Sequence, residues 1–326
     1  MTRRLHELDA LRGFAVCGIM VVNTWQHTRT HLTETQQPVR DGAVDLVVEN
    51  LLQGRFYPIF SFLFGLSFVL FLRSAAERTA HPRLALLRRL AVLACFGVAH
   101  HLLNPGEVLL PYAVFGALVL LPASFLPRSA TLLLGIAVTA WAASIGGGIV
   151  IEGTFVAFLI PGLFLLGMAM MAYRLDARLP APAFLISVAL AAGLTWLVAS
   201  PTDLGPFLLG VYVGAALACA AAYCTGLLLL LRTPLRGPLT AVFNPLGRMA
   251  LTNYLVSTPI ILLALPLLTA DPTRLTGVVL AVAVLAVQVV FSRWWLARFR
   301  YGPLEWVWRR LTWMEPVPNR RLKSEA

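Results

Sequence analysis

Two histidines and a glutamate stand around one turn in the segment FGVAHHLLNPGEVLLPYAVFG. His100 and His101 close an apolar run, Asn104-Pro105-Gly106 interrupts it, and Glu107 opens the next. Proline and glycine end a helix and supply turn chemistry, so the flanking helices fold side by side and one imidazole can face the carboxylate. A carboxylate that orients and charges an imidazole is what general-base work requires. The same trio also reads as an interfacial pair that only holds the hairpin together. His27 and His31 are four residues apart and could share a helical face as metal ligands. No third ligand stands at a fixed spacing, so no metal is expected, and each also reads as part of a solvated loop. In LDALRGFAVCGIMVVN, Asp9 and Arg12 fall on one helical face. Alternatively Asp9 is an N-cap and Arg12 a snorkelling anchor. Asn23 lies about 16 Å further along the same helix, an amide in apolar surroundings that wants a partner. In NPLGRMALTNYLVS, Arg248 and Thr252 are one turn apart, and Asn253 and Tyr254 follow inside an apolar run. Polar groups in a span face the bundle interior. There they either bond between helices or line a pocket whose Arg248 meets a phosphate or carboxylate. No Walker loop, dinucleotide fingerprint, GxSxG elbow, HExxH site or CxxC pair occurs.

The elements that must position these residues are apolar. The chain has 326 residues, 59% hydrophobic and 13% charged, with a mean hydropathy of +0.79; a soluble domain is nearer half and a quarter. Runs near the roughly 20 residues that span a bilayer, without the alternation of a barrel strand, predict an all-α, polytopic membrane helix bundle. The expected spans, about ten in number, are 12–26, 55–72, 86–103, 107–123, 130–148, 154–173, 183–199, 207–231, 247–268 and 275–293. They form a single transmembrane domain over 1–326, with a four-span part (1–125), six further spans (126–293) and a tail (294–326). Met1 to Arg12 lacks a signal-peptide pattern. Pro259 and Pro266 predict a kink or an unwound stretch in the ninth span. The longest connection, His27 to Gly54, is polar and carries Glu34, Asp41, Asp45 and Glu49. Cys17, Cys95, Cys219 and Cys224 lie in apolar runs without ligand or disulfide spacing, and are expected to be buried and inert. Absence of an internal repeat argues mildly against many transporter folds.

Charge orients the bundle. Only four of the 26 Lys and Arg residues, Arg29, Arg40, Arg55 and Arg274, fall in one set of alternate gaps. The others, among them Arg12, Arg73 to Arg89, Arg128, Arg174, Arg178, Arg232, Arg236, Arg248 and the basic tail, fall in the opposite set. The positive-inside rule then places both termini in the cytoplasm. The net charge of +11 and the pI near 10.4 thus express topology and attraction to anionic headgroups; the expected partner is the lipid bilayer, not nucleic acid. The tail RWWLARFRYGPLEWVWRRLTW, from Arg293 to Trp313, interleaves arginine with tryptophan and reads as an interfacial C-terminal helix on the inner leaflet.

Taken in order, LDALRGFAVCGIMVVN, FYPIFSFLFGLSF from Phe56, GVAHHLLNPGEVLLPYAVFG from Gly97, GRMALTNYL from Gly247 and YGPLEWVWRRLTW from Tyr301 resemble the bacterial YeiB-like family, also called DUF418. Glu107 stands where that family usually has aspartate. The opening LDxxRG element is similar to that of a wider group of transmembrane acyltransferases, the heparan-glucosaminide N-acetyltransferases and the acyltransferase-3 proteins. The resemblance implies a ten-helix core in the cytoplasmic (inner) membrane. It implies acyl transfer from cytoplasmic acyl-CoA, acetyl-CoA foremost, to an envelope glycan, lipid or secondary metabolite at the outer face. The acyl-CoA is a co-substrate, with no tightly bound cofactor. Asn23 matches the asparagine that closes the first span of the glucosaminide enzymes, and His31, less well His27, their catalytic histidine. On this reading His31, His100 or His101, helped by Glu107, is the base, and Asn23 or Asn253 is an oxyanion donor. Arg12, Arg88, Arg89 and Arg248 hold the acyl-CoA phosphates, and Asp9, His27, Thr252, Asn253 and Tyr254 line the substrate pocket. A transporter or flippase of an amphiphile and a non-catalytic scaffold are the alternatives, and a homodimer is left open.

Overall fold

A computed structural model describes residues 2–37, 42–146, 149–151, 154–156, 158–173, 180–200 and 203–321; Arg40, Asp41, Arg174 and Arg178 lie outside them. The described chain is almost entirely helical. Its helices are α1 (Thr2–Glu34), α2 (Ala43–Val47, widening into a π turn at Val48–Leu52), α3 (Phe56–Ala76) and α4 (Pro82–His101). Next come α5 (Leu109–Phe115), joined through a π turn at Gly116–Leu120 to α6 (Leu121–Ala123), and α7 (Arg128–Ser144). A short antiparallel hairpin, β1 (Ile149–Ile151) and β2 (Thr154–Val156), precedes α8 (Leu159–Ala172). The remainder is α9 (Pro180–Ala199), α10 (Leu208–Leu230), α11 (Arg236–Arg248), α12 (Ala250–Ala270), α13 (Leu275–Arg298) and α14 (Pro303–Trp313). Each of the ten apolar stretches contains helix, but the sixth opens with strand β2 and becomes helical only from Leu159. Six segments, within α1, α2–α3, α9, α10, α12 and α13, are long and apolar enough to cross a membrane. Leu109–Ala123 and Leu159–Ala172 are apolar but shorter.

Several expectations change. Helix α1 starts at Thr2, so Asp9 is not an N-cap, and it continues to Glu34, so His27 and His31 are helical rather than part of a loop. Gln26, Arg29 and Leu32 are good helix formers in that continuation, and Thr24 and Thr28 satisfy their hydroxyls on the carbonyls of Met20 and Thr24. Helix α12 runs through Pro259 and Pro266 as one continuous helix, so the ninth span is not unwound there. The tail divides: Arg293–Arg298 completes α13, and the chain breaks at Phe299 before α14. Cys95 is exposed, not buried.

The described chain forms two compact units. The first comprises Met1–Phe56, Leu230–Val307 and Val317–Ala326. Here α1 and α11 cross with backbones touching. A Cβ on Gly13 would overlap the carbonyl of Phe243, and one on Gly247 would overlap that of Asp9. Met20, Ile261, Leu268, Ala281 and Val284 seal the core where α1 meets α12 and α13. Between α12 and α13 the buried Asn253 amide donates to Ser292 Oγ and Leu246 O, both at 3.3 Å. Gln288 Nε2 donates to Asn253 O and Ser257 Oγ, both at 3.0 Å.

The second unit comprises Tyr57–Leu229 and Trp308–Pro316. Gly65 lies under the carbonyl of Phe164 and Gly167 under that of Phe62, so α3 and α8 touch reciprocally. Phe64 stacks on Phe164 at 4.7 Å and Tyr112 meets Phe164 edge-on at 5.1 Å. Helix α9 leaves Leu185, Ile186, Leu190 and Trp196 exposed, the all-round apolar surface of a helix surrounded by lipid.

Candidate functional site

Three signature segments converge in the first unit. Gly13 and Gly247 let LDALRG and GRMALTNYL lie backbone to backbone. There Arg12 Nη1 donates to Asp9 Oδ1 at 3.1 Å, one turn apart as the spacing predicts. Arg248 and His6 also act electrostatically on Asp9, and Asn244 Nδ2 stands 3.4 Å from His6 Nδ1. Arg248 is exposed; its Nη2 donates to Arg300 O at 3.0 Å, and Arg321 is near enough to repel it. YGPLEW joins the cluster through Thr252, whose N–H and hydroxyl donate to Glu305 Oε1 and Oε2 at 3.0 and 2.6 Å. Leu304 N donates back to Thr252 Oγ1 at 3.1 Å. Glu305 thus sets a carboxylate on the N-terminal turn of α12, where the helix dipole favours a negative charge. Burial pushes its pKa up, against the pull of the Thr252 hydrogen bonds. Sequence reasoning missed Glu305. Its signal was the lone acid between Tyr301 and Trp313.

At the other end of α1, Asn23, His27 and His31 succeed one another every fourth residue, one stripe over the last turns. All three are half-buried. The adjacent face carries a cluster that the sequence reading passed over. Asp45, fully buried, accepts Trp25 Nε1 at 2.8 Å, Arg29 Nη1 at 3.3 Å and Gly42 N at 2.9 Å. Arg274, 6% exposed, brings Nε to 3.9 Å of the same carboxylate. A polar loop and two isolated arginines disguised it, because their partners are remote in sequence.

In the second unit the hairpin folds as the turn dictates. His100 is buried with Nδ1 4.0 Å from Glu107 Oε2, whereas His101 is exposed. Glu107 caps α5: Oε2 and Oε1 accept Leu109 N and Leu110 N at 2.6 and 2.7 Å. Its neighbour signature FYPIFSFLFGLSF reaches the same hairpin where Ser61 Oγ meets Tyr112 Oη at 2.8 Å. Arg88 is exposed. Arg89 lies with its guanidinium 3.7 Å over Trp308, whose indole N–H donates to Arg89 O at 2.8 Å, a cation–π clasp. Among the described residues no set of three His, Cys, Asp or Glu is arranged to hold a metal ion.

Helices of membrane-crossing length that expose apolar side chains, with charge gathered at their ends, define a multi-pass membrane protein. Comparison with known proteins gives the family. The profile described as "Protein of unknown function (DUF418)" matches residues 170–315. The "Uncharacterized 39.9 kDa protein in amylase 3'region" of Bacillus acidopullulyticus is 35% identical over 358 aligned positions, covering 100% of this chain and 98% of the relative. "Uncharacterized protein YxaH" of Bacillus subtilis (strain 168) is 42% identical over 80 residues, 23% of this chain and 20% of that protein. "Uncharacterized protein YeiB" of Escherichia coli (strain K12) is 42% identical over 71 residues, 20% and 18% of the two chains. The chain belongs to the DUF418, YeiB-like family. No solved structure matches it.

Proposed function

We propose that this is a ten-span enzyme of the bacterial inner membrane, with both termini in the cytoplasm, that transfers an acyl group from acyl-CoA to an acceptor at the outer face. The observation that carries the reading is the placing of Arg12 and Arg248 beside Asp9, with Arg321 near Arg248, where three signature segments meet. Guanidiniums, the exposed Arg248 among them, suit phosphates, and acyl-CoA is the phosphate-bearing acyl donor of the cytoplasm. On the far side, His31 is the preferred base and Asn23 the preferred oxyanion donor, since they share one face of α1. His100 is the second choice, because Glu107 spends both oxygens on the α5 backbone. In the transfer, the base takes the acceptor hydroxyl or amine proton, the acceptor attacks the thioester carbonyl, and the C–S bond breaks to release CoA thiolate, which is reprotonated.

The test uses full-length protein in proteoliposomes with labelled acetyl-CoA and extracted envelope glycans and lipids, read by mass spectrometry. An acetylated acceptor is expected, with activity lowered about a hundredfold or more by replacing the base with alanine. Full activity in His31→Ala, His100→Ala and His101→Ala alike overturns the assignment. Passage of an unmodified substrate across the membrane would instead establish transport.

A further inference from the structure

The first unit contains a narrow cleft beside the Asp45 cluster, apart from the arginines assigned to acyl-CoA. Val21, Trp25 and Val48 wall it, and Arg274 and Gly277 line its base. Arg274 is the anomaly. It begins α13 with φ at 63°, a left-handed conformation uncommon outside glycine, and its side chain is 6% exposed. A guanidinium carries five N–H donors. Among the described residues only Nη1 is hydrogen-bonded, to Asp271 O at 3.1 Å. Nε faces Asp45 from 3.9 Å, beyond hydrogen-bond reach, and has no other partner. Asp45 does not complete the set: it accepts shorter bonds from Trp25, Arg29 and Gly42 and stays 3.9 Å from Nε. A buried cation left so poorly bonded is costly unless an anion completes it.

We propose that this cleft binds the carboxylate end of a monocarboxylic acid, with the guanidinium of Arg274 as its counter-charge. The enclosed space is about 10 Å3, room for one water-sized group. A singly charged carboxylate can set one oxygen in that space, against the guanidinium, and leave the other toward the open side. The carbon chain of the acid lies on the open side of the cleft. The site does not depend on acyl transfer, and stands whether or not the arginine cluster binds acyl-CoA.

The experiment is equilibrium dialysis of radiolabelled hexanoate against the full-length protein in neutral-detergent micelles, with protein-free micelles as the blank. Saturable binding of one hexanoate per chain is expected, competed by unlabelled hexanoate but not by hexanol or inorganic phosphate. Arg274→Gln should weaken it about tenfold or more. Gly277→Ala is the variant that leaves the charge in place. Its added Cβ meets Thr24 and Leu268 at ordinary distances of 3.5 and 3.9 Å, so the fold accepts it while the cleft loses room, and binding should again fall about tenfold. The proposal is overturned if binding never exceeds the micelle blank, if hexanol or phosphate competes as well as hexanoate, or if Gly277→Ala binds like the parent. Should Arg274→Gln fail to fold, the Gly277→Ala result alone decides.

Discussion

Glu305 shows how one side chain can couple the tail to the helix beside it. Its carboxyl group, half-buried, holds Thr252 by two hydrogen bonds, and desolvation raises its pKa. A raised value means that the fold prefers the neutral form. That preference stabilises in full below the free-chain value of about 4.3 and is lost as pH rises through the folded value. The thermal midpoint of the parent should therefore drop relative to Glu305→Gln as pH climbs from about 4.5 toward neutrality, measured by tryptophan fluorescence in detergent; parallel pH profiles would refute it. Asp271 behaves oppositely. The Thr273 hydroxyl and Thr276 N–H hold its carboxyl well below the usual range, so its contribution fades only in acid below about pH 4, clear of the Glu305 window. At this scale, pairs close in sequence were legible: Asp9 with Arg12, and His100 with Glu107 across a turn of known chemistry. Thr252, by contrast, was read as pocket lining and is bound to Glu305, while Asp45 was read as loop and is fully buried.

Among the elements, the crossing of α1 with α11 organises the first unit, and two glycines permit it. Replacing Gly13 with valine would drive a side chain into the carbonyl of Phe243. Overpacking of this kind costs about 3 kcal/mol, and more where the obstacle is backbone. Gly13→Val should therefore lower the unfolding midpoint and the folded yield sharply, whereas Gly193→Ala, where nothing lies within 4 Å, should not; equal behaviour of the two would refute the packing account. Helix α11 is not among the expected elements, because most of it, residues 236–246, lies outside every apolar run.

For the molecule as a whole, the charge distribution makes the topology testable. With both termini inside, a single cysteine placed at Gln36 in a variant lacking Cys17, Cys95, Cys219 and Cys224 should react with a membrane-impermeant maleimide in intact cells. One placed at Glu77 should react only after lysis. The reverse pattern would invert the topology and move the Arg12–Arg248 cluster away from cytoplasmic acyl-CoA.

Hydropathy was enough to define a helical membrane protein, because bilayer burial acts on each apolar segment independently of its neighbours. Turn chemistry at Asn104-Pro105-Gly106 likewise needs only adjacent residues. What the tertiary structure alone decided is which polar groups meet: Glu305 with Thr252, Asp45 with Arg29 and Trp25, Arg248 with Arg300. Such pairings join residues far apart in the chain, and their energies depend on distance and desolvation, which exist only once helices such as α1 and α11 have closed upon one another.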